Sequence, residues 1–399
     1  MTARPLIARQ PNERLLALIR EAGCSNAGLA RRVNMCAAER GLDFRYDKTS
    51  VARWMRGQQP RGRAPEVIAE ALGRKLGRPV GVDDIGMGSS RRPGASVGLH
   101  FASGLAEGIE QAVELWRSDG VRGDARGGPA DPYGAGGTQV APAALVEPSR
   151  DWLITPADTE VARASGPRVG ASDVAAVAAT TASLVELDRR WGAGHVRPLV
   201  VHYLSGVVAG LLGGSYREAV GRELFRAAAR LTELAGYMAV DTGLPGLAQR
   251  YYIQALRLSQ AAGDRGFGGY VLAAGMSHLA AELGNPREVI QLARAAQEGA
   301  RGRVTPRAEA LFLAAEARGY AQLGDAESCR RAAGAALAAL ERADDAAADD
   351  APWVRHFDSA YLADELAHCH RDLGQGRAAQ DRAAEALAAH PRAGRGAGR

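Results

Sequence analysis

Four glycines punctuate the second half of the chain at Gly243, Gly284, Gly324 and Gly374, separated by 41, 40 and 50 residues. Each closes an apolar run, three of them as Leu-Gly-Asn, Leu-Gly-Asp and Leu-Gly-Gln. A glycine in this position ends a helix because it enters left-handed backbone without a Cβ penalty. Twelve residues after each glycine stands an alanine, Ala255, Ala296, Ala336 and Ala386, and five residues after stand Ala248, Val289, Cys329 and Ala379. A small residue fixed in the second helix of each unit is what close packing of stacked hairpins requires. A period of this length predicts a helical-repeat domain of tetratricopeptide-like form. Aromatics make up only 5% of the 399 residues while alanine and leucine abound, which favours packed helices over sheets and gives an all-α fold class. The longer last interval holds an Asp/Ala-rich insertion, 343–351, that belongs in an exposed loop.

The first 88 residues read differently. Asn12 caps a helix carrying Leu15, Leu16 and Ile19, closed by Gly23, and Ser25 caps a second with Leu29, Ala30, Val33, Cys36 and Ala37. After a loop at Leu42 to Tyr46, Asp47 caps a short basic helix whose inward face is Val51, Trp54 and Met55, ended by Gly57. Pro65 opens a fourth helix with Ile68, Leu72 and Leu76 buried, stopped by Gly77 and Pro79. Residues 1–88 hold sixteen Lys and Arg against nine Asp and Glu, a net of +7, which leaves −2 for the rest of a chain that is +5 overall. A basic first module is the asymmetry expected when one end meets a polyanion.

The stretches Ser25-Asn-Ala-Gly-Leu-Ala-Arg-Arg-Val, Lys48-Thr-Ser-Val-Ala-Arg-Trp-Met-Arg-Gly57 and Ile68-Ala-Glu-Ala-Leu72-Gly resemble the Cro/CI-type repressor fold over about residues 12 to 80. That resemblance implies a helix-turn-helix bundle whose third helix enters the major groove of double-stranded DNA. It implies base contacts from Lys48, Thr49 and Arg53, residue types able to bond guanine acceptors or touch a thymine methyl. Ser50, Arg56, Gln58, Gln59, Arg61 and Arg63 are then expected at phosphates, fixing register without reading sequence. Val33 and Asp47 lie farther apart than the usual short turn allows, so helix two is expected to be extended.

Between these parts, residues 89–143 read as a Gly-rich linker with one possible helix at Leu105 to Trp116 and a flexible run at Asp119 to Gly137. The repeat domain is expected over 144–390, beginning with an apolar cluster of Leu145, Val146, Trp152, Leu153 and Ile154, and a disordered basic tail over 391–399. Pro198 to Tyr216 carries no Asp, Glu, Lys or Arg, but its glycines, His202 and Ser205 fit a buried repeat helix better than a membrane span. His195 and His202 are expected to be satisfied buried histidines. Cys24, Cys36, Cys329 and Cys369 show neither zinc nor disulfide spacing. Asp364, His368 and His370 lack a ligand pattern, so no metal and no cofactor is expected. No P-loop, GxSxG or strand-borne GxGxxG occurs, and the expectation is a chain that is not an enzyme.

Over most of its length the chain resembles the tetratricopeptide-type sporulation-associated regulators of filamentous actinobacteria. The stretches that carry this are Glu21-Ala-Gly-Cys-Ser-Asn-Ala-Gly-Leu-Ala, Tyr46-Asp-Lys-Thr-Ser-Val-Ala-Arg-Trp, Gly57-Gln-Gln-Pro-Arg-Gly-Arg, Gly194-His-Val-Arg-Pro and Ala235-Gly-Tyr-Met-Ala-Val-Asp-Thr-Gly. The resemblance implies a cytoplasmic DNA-binding regulator of differentiation and secondary metabolism. A homodimer is expected, because one short helix reads only a few base pairs, with a peptide, small molecule or protein as partner of the repeats. The alternative is a protein-interaction scaffold whose first module does not bind DNA specifically.

Overall fold

The computed structural model describes residues 12–39, 42, 44–58, 60, 64–78, 80–81, 84–85, 97–124, 140–343 and 349–389. Among these residues the protein is all-helical and forms no strand, only the isolated bridges Arg163–Tyr216 and Arg168–Ser215. It divides into two compact units, Met1–Gly94 and Ala95–Arg399.

The first unit packs α1 (Glu13–Glu21), α2 (Asn26–Glu39), α3 (Lys48–Met55) and α4 (Ala64–Leu76) around Leu15, Leu29, Val33, Val51, Trp54, Ile68 and Leu72. The extra length after Val33 is helical, carrying α2 to Glu39. Met55 and Leu76 are half-buried at the margin of this core, not inside it.

The second unit is built from α5 (Leu105–Asp124), α6 (Glu147–Ile154), α7 (Ala171–Trp191), α8 (Ala193–Tyr203) and its continuation α9 (Ala209–Leu212), then four helical hairpins. The hairpins are α10 (Glu218–Asp241) with α11 (Pro245–Ala262); α12 (Arg265–Tyr270) and α13 (Ser277–Glu282) with α14 (Pro286–Gly299); α15 (Pro306–Leu323) with α16 (Ala326–Ala343); and α17 (Ser359–Asp372) with α18 (Gly376–Ala389). Gly243, Gly284, Gly324 and Gly374 make the four hairpin turns, all with φ between 71° and 81°. Ala255, Ala296 and Ala336 are fully buried where the hairpins pack, whereas Ala386 and Ala379 of the last hairpin are half-buried because nothing among the described residues packs beyond it. Two π segments, Leu204–Val208 and Val271–Met276, interrupt otherwise continuous helices, joining α8 to α9 and α12 to α13.

Residues 97–124 and 140–143 of the segment read as a linker are part of this unit. Helix α5 extends through Asp124, and Phe101, Ala112, Leu115 and Trp116 are buried in the same core as α10 and α11. The reason lies on α11, which is buried from Gly246 to Ala262. A helix so enclosed needs partners for its polar side chains, and most of them find one, while the Tyr252 hydroxyl and the side-chain oxygens of Gln254 and Gln260 have none among the described residues. Arg250 donates to the Val97 carbonyl (2.7 Å), Gln254 to Gly98 and His100 (3.1 and 3.2 Å), and Arg257 to Ala102 (2.7 Å). Gln249 bonds both the amide and the carbonyl of Ala141, Gln260 donates to Thr155 and Pro156, and Arg257 also forks onto Asp158 at 2.8 and 3.0 Å. Asp119, expected in a flexible run, is buried and accepts from the Tyr251 hydroxyl at 2.6 Å while pairing with Arg197. Residues 125–139 of the expected linker, the 391–399 tail and most of the 343–351 insertion lie outside the described residues.

Other expectations are corrected by packing. Ala193–Leu212 is long and apolar enough to cross a membrane, yet it is not enclosed as expected: Val196, Val200, Leu204 and Leu212 face the core while Leu199 and Val207 are exposed. His195 and His202 are both exposed, because they fall on the outer side of this helix. Within the apolar cluster Trp152 is fully buried but Ile154 is 80% exposed. Cys329 and Cys369, forty residues apart, pack together in one small apolar cluster and both are free.

Trp152 lodges where only glycine leaves room. A Cβ on Gly299 would sit 2.1 Å from its ring, and Arg265 stacks over the ring at 4.7 Å. Gly299→Ala is therefore expected to lower the stability of the second unit by about 1–3 kcal/mol through overpacking. Thermal unfolding of the full chain checks this, and an unchanged midpoint would show that α6 is not seated there.

Candidate nucleic-acid interface

Helix α3 is amphipathic in the plainest sense. Val51 and Trp54 are buried, Trp54 at 3% exposure, and the ring of Trp54 meets Tyr46 edge-on at 4.9 Å. With that face fixed in the core, Lys48, Thr49 and Arg53 fall on the opposite side and are exposed, as are Arg56 and Gln58. Among the described residues neither Lys48 nor Arg53 enters an ion pair, whereas Arg74 is held by Glu39 and Glu70 and Arg78 by Glu21. The unmatched positive charge of this unit thus includes the outer face of α3.

Polar clamps hold α3 at both ends. Asn34 on α2 donates to the Tyr46 carbonyl (2.9 Å) and accepts from the Tyr46 amide (3.0 Å), which pins the loop that feeds α3. Asp47 caps the helix by accepting from the Ser50 amide at 2.8 Å, and the Ser50 hydroxyl donates back to the same carboxylate at 2.8 Å. At the far end the Asn12 amide donates to the Met55 carbonyl (2.8 Å), while the Asn12 side chain caps α1 and donates to Ile85 (2.9 Å). Arg56 donates from Nε to Ala52 at 3.2 Å.

Of the residues anticipated at bases, Lys48, Thr49 and Arg53 share one exposed face. Of those anticipated at phosphates, Arg56 and Gln58 are exposed beside it, Ser50 is half-buried with its hydroxyl engaged in the cap, and Gln59, Arg61 and Arg63 lie outside the described residues. Asn34 was not anticipated. The sequence signal for it is a polar residue set between the buried Val33 and Cys36, which on a helix needs a partner. In the second unit, Asp364 and His368 approach to 3.7 Å and His370 bonds Gln375, and no metal-ligand cluster occurs among the described residues.

The SP15 N-terminal domain family is similar to this chain over residues 15–88, the stretch that contains most of α1, all of α2 to α4 and every candidate contact. No curated protein and no solved structure matches the chain.

Removing the Asn34 clamp should loosen α3 before it unfolds the unit. Asn34→Ala is expected to cost about 1–3 kcal/mol, since it strands the Tyr46 amide and carbonyl in a half-buried loop. Hydrogen exchange should accelerate at Tyr46 to Ser50 more than in α1, and uniform acceleration would refute a local role. The Ser50 amide and hydroxyl hold the Asp47 carboxyl below its ordinary value of 3.8. A depressed carboxyl stabilises the fold above its unfolded pKa, and that contribution is lost as pH falls through the folded value. The first turn of α3 should therefore fray only below about pH 4, the ordinary aspartate range. Nuclear magnetic resonance of the Ser50 amide would read this, and an unchanged shift down to acid unfolding would show that the cap is not formed.

Proposed function

We propose that the protein is a sequence-specific DNA-binding transcriptional regulator, with a Cro/CI-type helix-turn-helix first unit and a tetratricopeptide-like second unit that dimerises and receives a signal. The observation that carries the reading is the exposed Lys48–Thr49–Arg53 face of α3, whose Lys48 and Arg53 enter no ion pair among the described residues, held rigidly by Val51 and Trp54 on its inner side. Duplex DNA attracts such a face through phosphate charge, and its major groove offers acceptors at guanine that Arg and Lys can bond. The basic balance of residues 1–88 supports the same partner. The resemblance to sporulation-associated regulators extends the proposal to a cytoplasmic role in differentiation and secondary metabolism.

Rigid clamping favours readout over non-specific adhesion, because side chains held in fixed register lose little entropy when they meet a base edge. Purified protein incubated with fragmented genomic DNA should enrich discrete sites, with two half-sites about one helical turn apart if the dimer binds. Lys48→Ala combined with Arg53→Ala should lower affinity for those sites by about 30-fold or more, on the basis of about 1 kcal/mol or more per lost base contact. Affinity should also fall steeply with salt as counterions are displaced. Absence of enrichment, or enrichment indifferent to both substitutions, would instead favour a scaffold acting through protein contacts.

A further inference from the structure

Surface helices ordinarily carry charge on the side that meets water. The outer side of α8, its π segment and α9 does not, for Pro198 to Tyr216 contains no Asp, Glu, Lys or Arg. Leu199 is 54% exposed and Val207 42%. His195, Leu199, His202, Gly206 and Gly210 follow one another at steps of three or four residues and are all exposed, so they form one stripe along the helix. Trp191 at the end of α7 extends it, being 67% exposed with its carbonyl 3.1 Å from Nδ1 of His195. Leu187, one turn back on α7, is exposed as well.

The stripe is open at its centre. A Cβ added to Gly206 or Gly210 would meet nothing within 4 Å, so another helix can approach the backbone closely there. On the inner side, Val196, Val200, Leu204 and Leu212 are buried in the core and hold the face in place. Helix α7 joins α8 through Gly192 alone, and both pack on α10. Its outer side is uncharged too, since 174–185 contains no Asp, Glu, Lys or Arg, and Ala175, Ala178, Ala179 and Ala182 are exposed. The α8-to-α9 stretch spans 20 residues and α7 21. At about 30 Å long and about 10–12 Å wide each, the two helices present roughly 600–700 Å², near the about 800 Å² per partner that a stable interface buries.

We infer that this face is where the second unit meets a second copy of itself. The inference rests on the dimer put forward above and names its surface. Across a two-fold axis a surface meets its own image, so unbalanced charge on it repels itself. The stripe carries no acid, lysine or arginine, and Glu186 and Arg190 on the neighbouring turns of α7 pair with each other at 3.2 Å. Arg189 and Arg217, both exposed, lie at its two ends along the chain, where the rim of an interface stays in water. The rest of this unit offers no cover: residues 125–139, 344–348 and 390–399 hold one large apolar side chain between them, Tyr133. A bilayer fits less well, because a helix lying on a membrane is rimmed by free lysine and arginine, whereas Arg197 here turns inward onto Asp119 and Arg190 is paired.

Sedimentation equilibrium of the full chain without DNA tests this. A dimer with a micromolar or lower dissociation constant is expected, as for interfaces of about this size. Leu199→Glu places a carboxylate in the apolar stripe of both copies and should raise that constant about tenfold or more. Leu387→Glu, at a more exposed leucine on α18, should leave it unchanged. Both variants should keep the wild-type thermal midpoint, since neither leucine is buried. If Leu199→Glu does not fold, Leu199→Ala, which shortens the side chain in both copies, should still weaken the dimer about tenfold. Flotation with phosphatidylglycerol vesicles reads the other occupant. A monomer at every concentration, a dimer indifferent to both Leu199 variants or broken by Leu387→Glu alone, or a monomer that floats with vesicles until Leu199 is changed overturns the proposal. Because no DNA is present, failed genomic enrichment leaves this dimer standing, and a monomer here leaves the contacts of α3 standing.

Discussion

The second unit depends on one enclosed helix whose buried side-chain donors are bonded to segments far away in the chain. Helix α11 is buried from Gly246 to its end, so Gln249, Arg250, Gln254, Arg257 and Gln260 must find partners inside the protein. They find them in backbone carbonyls of three separate segments, around 97–102, at 141 and at 155–156, and Arg257 also in the Asp158 carboxylate. Carbonyls accept regardless of side chain, which lets composition vary in those segments while their path stays fixed. The ion pair of Arg257 with Asp158 adds charge to this arrangement, in surroundings where leaving either partner alone costs about 3–5 kcal/mol.

This also explains what could and could not be read from the sequence. The hairpin turns were legible because Gly243, Gly284, Gly324 and Gly374 report a local backbone requirement, and the alanines that follow report close packing one helix away. Residues 97–124 were misread because their order is not local. Gly-rich composition at 119–137 suggests flexibility, but Asp119 is held by Tyr251, more than a hundred residues distant, and no pattern within the segment announces that partner. The exposure of His195 and His202 was missed for a similar reason, since periodicity marks an apolar helix without saying which side meets a neighbour.

In the first unit the outer face of α3 was legible for a simple reason. Asp47 fixes where the helix starts, Val51 and Trp54 fix which side is inward, and the positions of Lys48, Thr49 and Arg53 follow from helical geometry. What the pattern left out is how the helix is held. Asn34 reaches twelve residues along the chain to bond both backbone atoms of Tyr46, and Asn12 ties the start of α1 to the end of α3. These are contacts between elements, and they convert an amphipathic segment into one with a set orientation.

The π segment at Val271–Met276 has a rotational consequence. Tyr270 and His278 stand eight residues apart, and on an uninterrupted α-helix eight residues overshoot two turns by about 80°. A π-bulge admits one more residue without another turn, taking back about 100° of that drift. By that count the Tyr270 and His278 positions fall within about 20° of one another around the helix axis. The π segment between them packs against α10, the helix that carries Glu233 and Asp241. A one-residue deletion within 271–276 would restore ordinary winding and swing one ring out of that alignment.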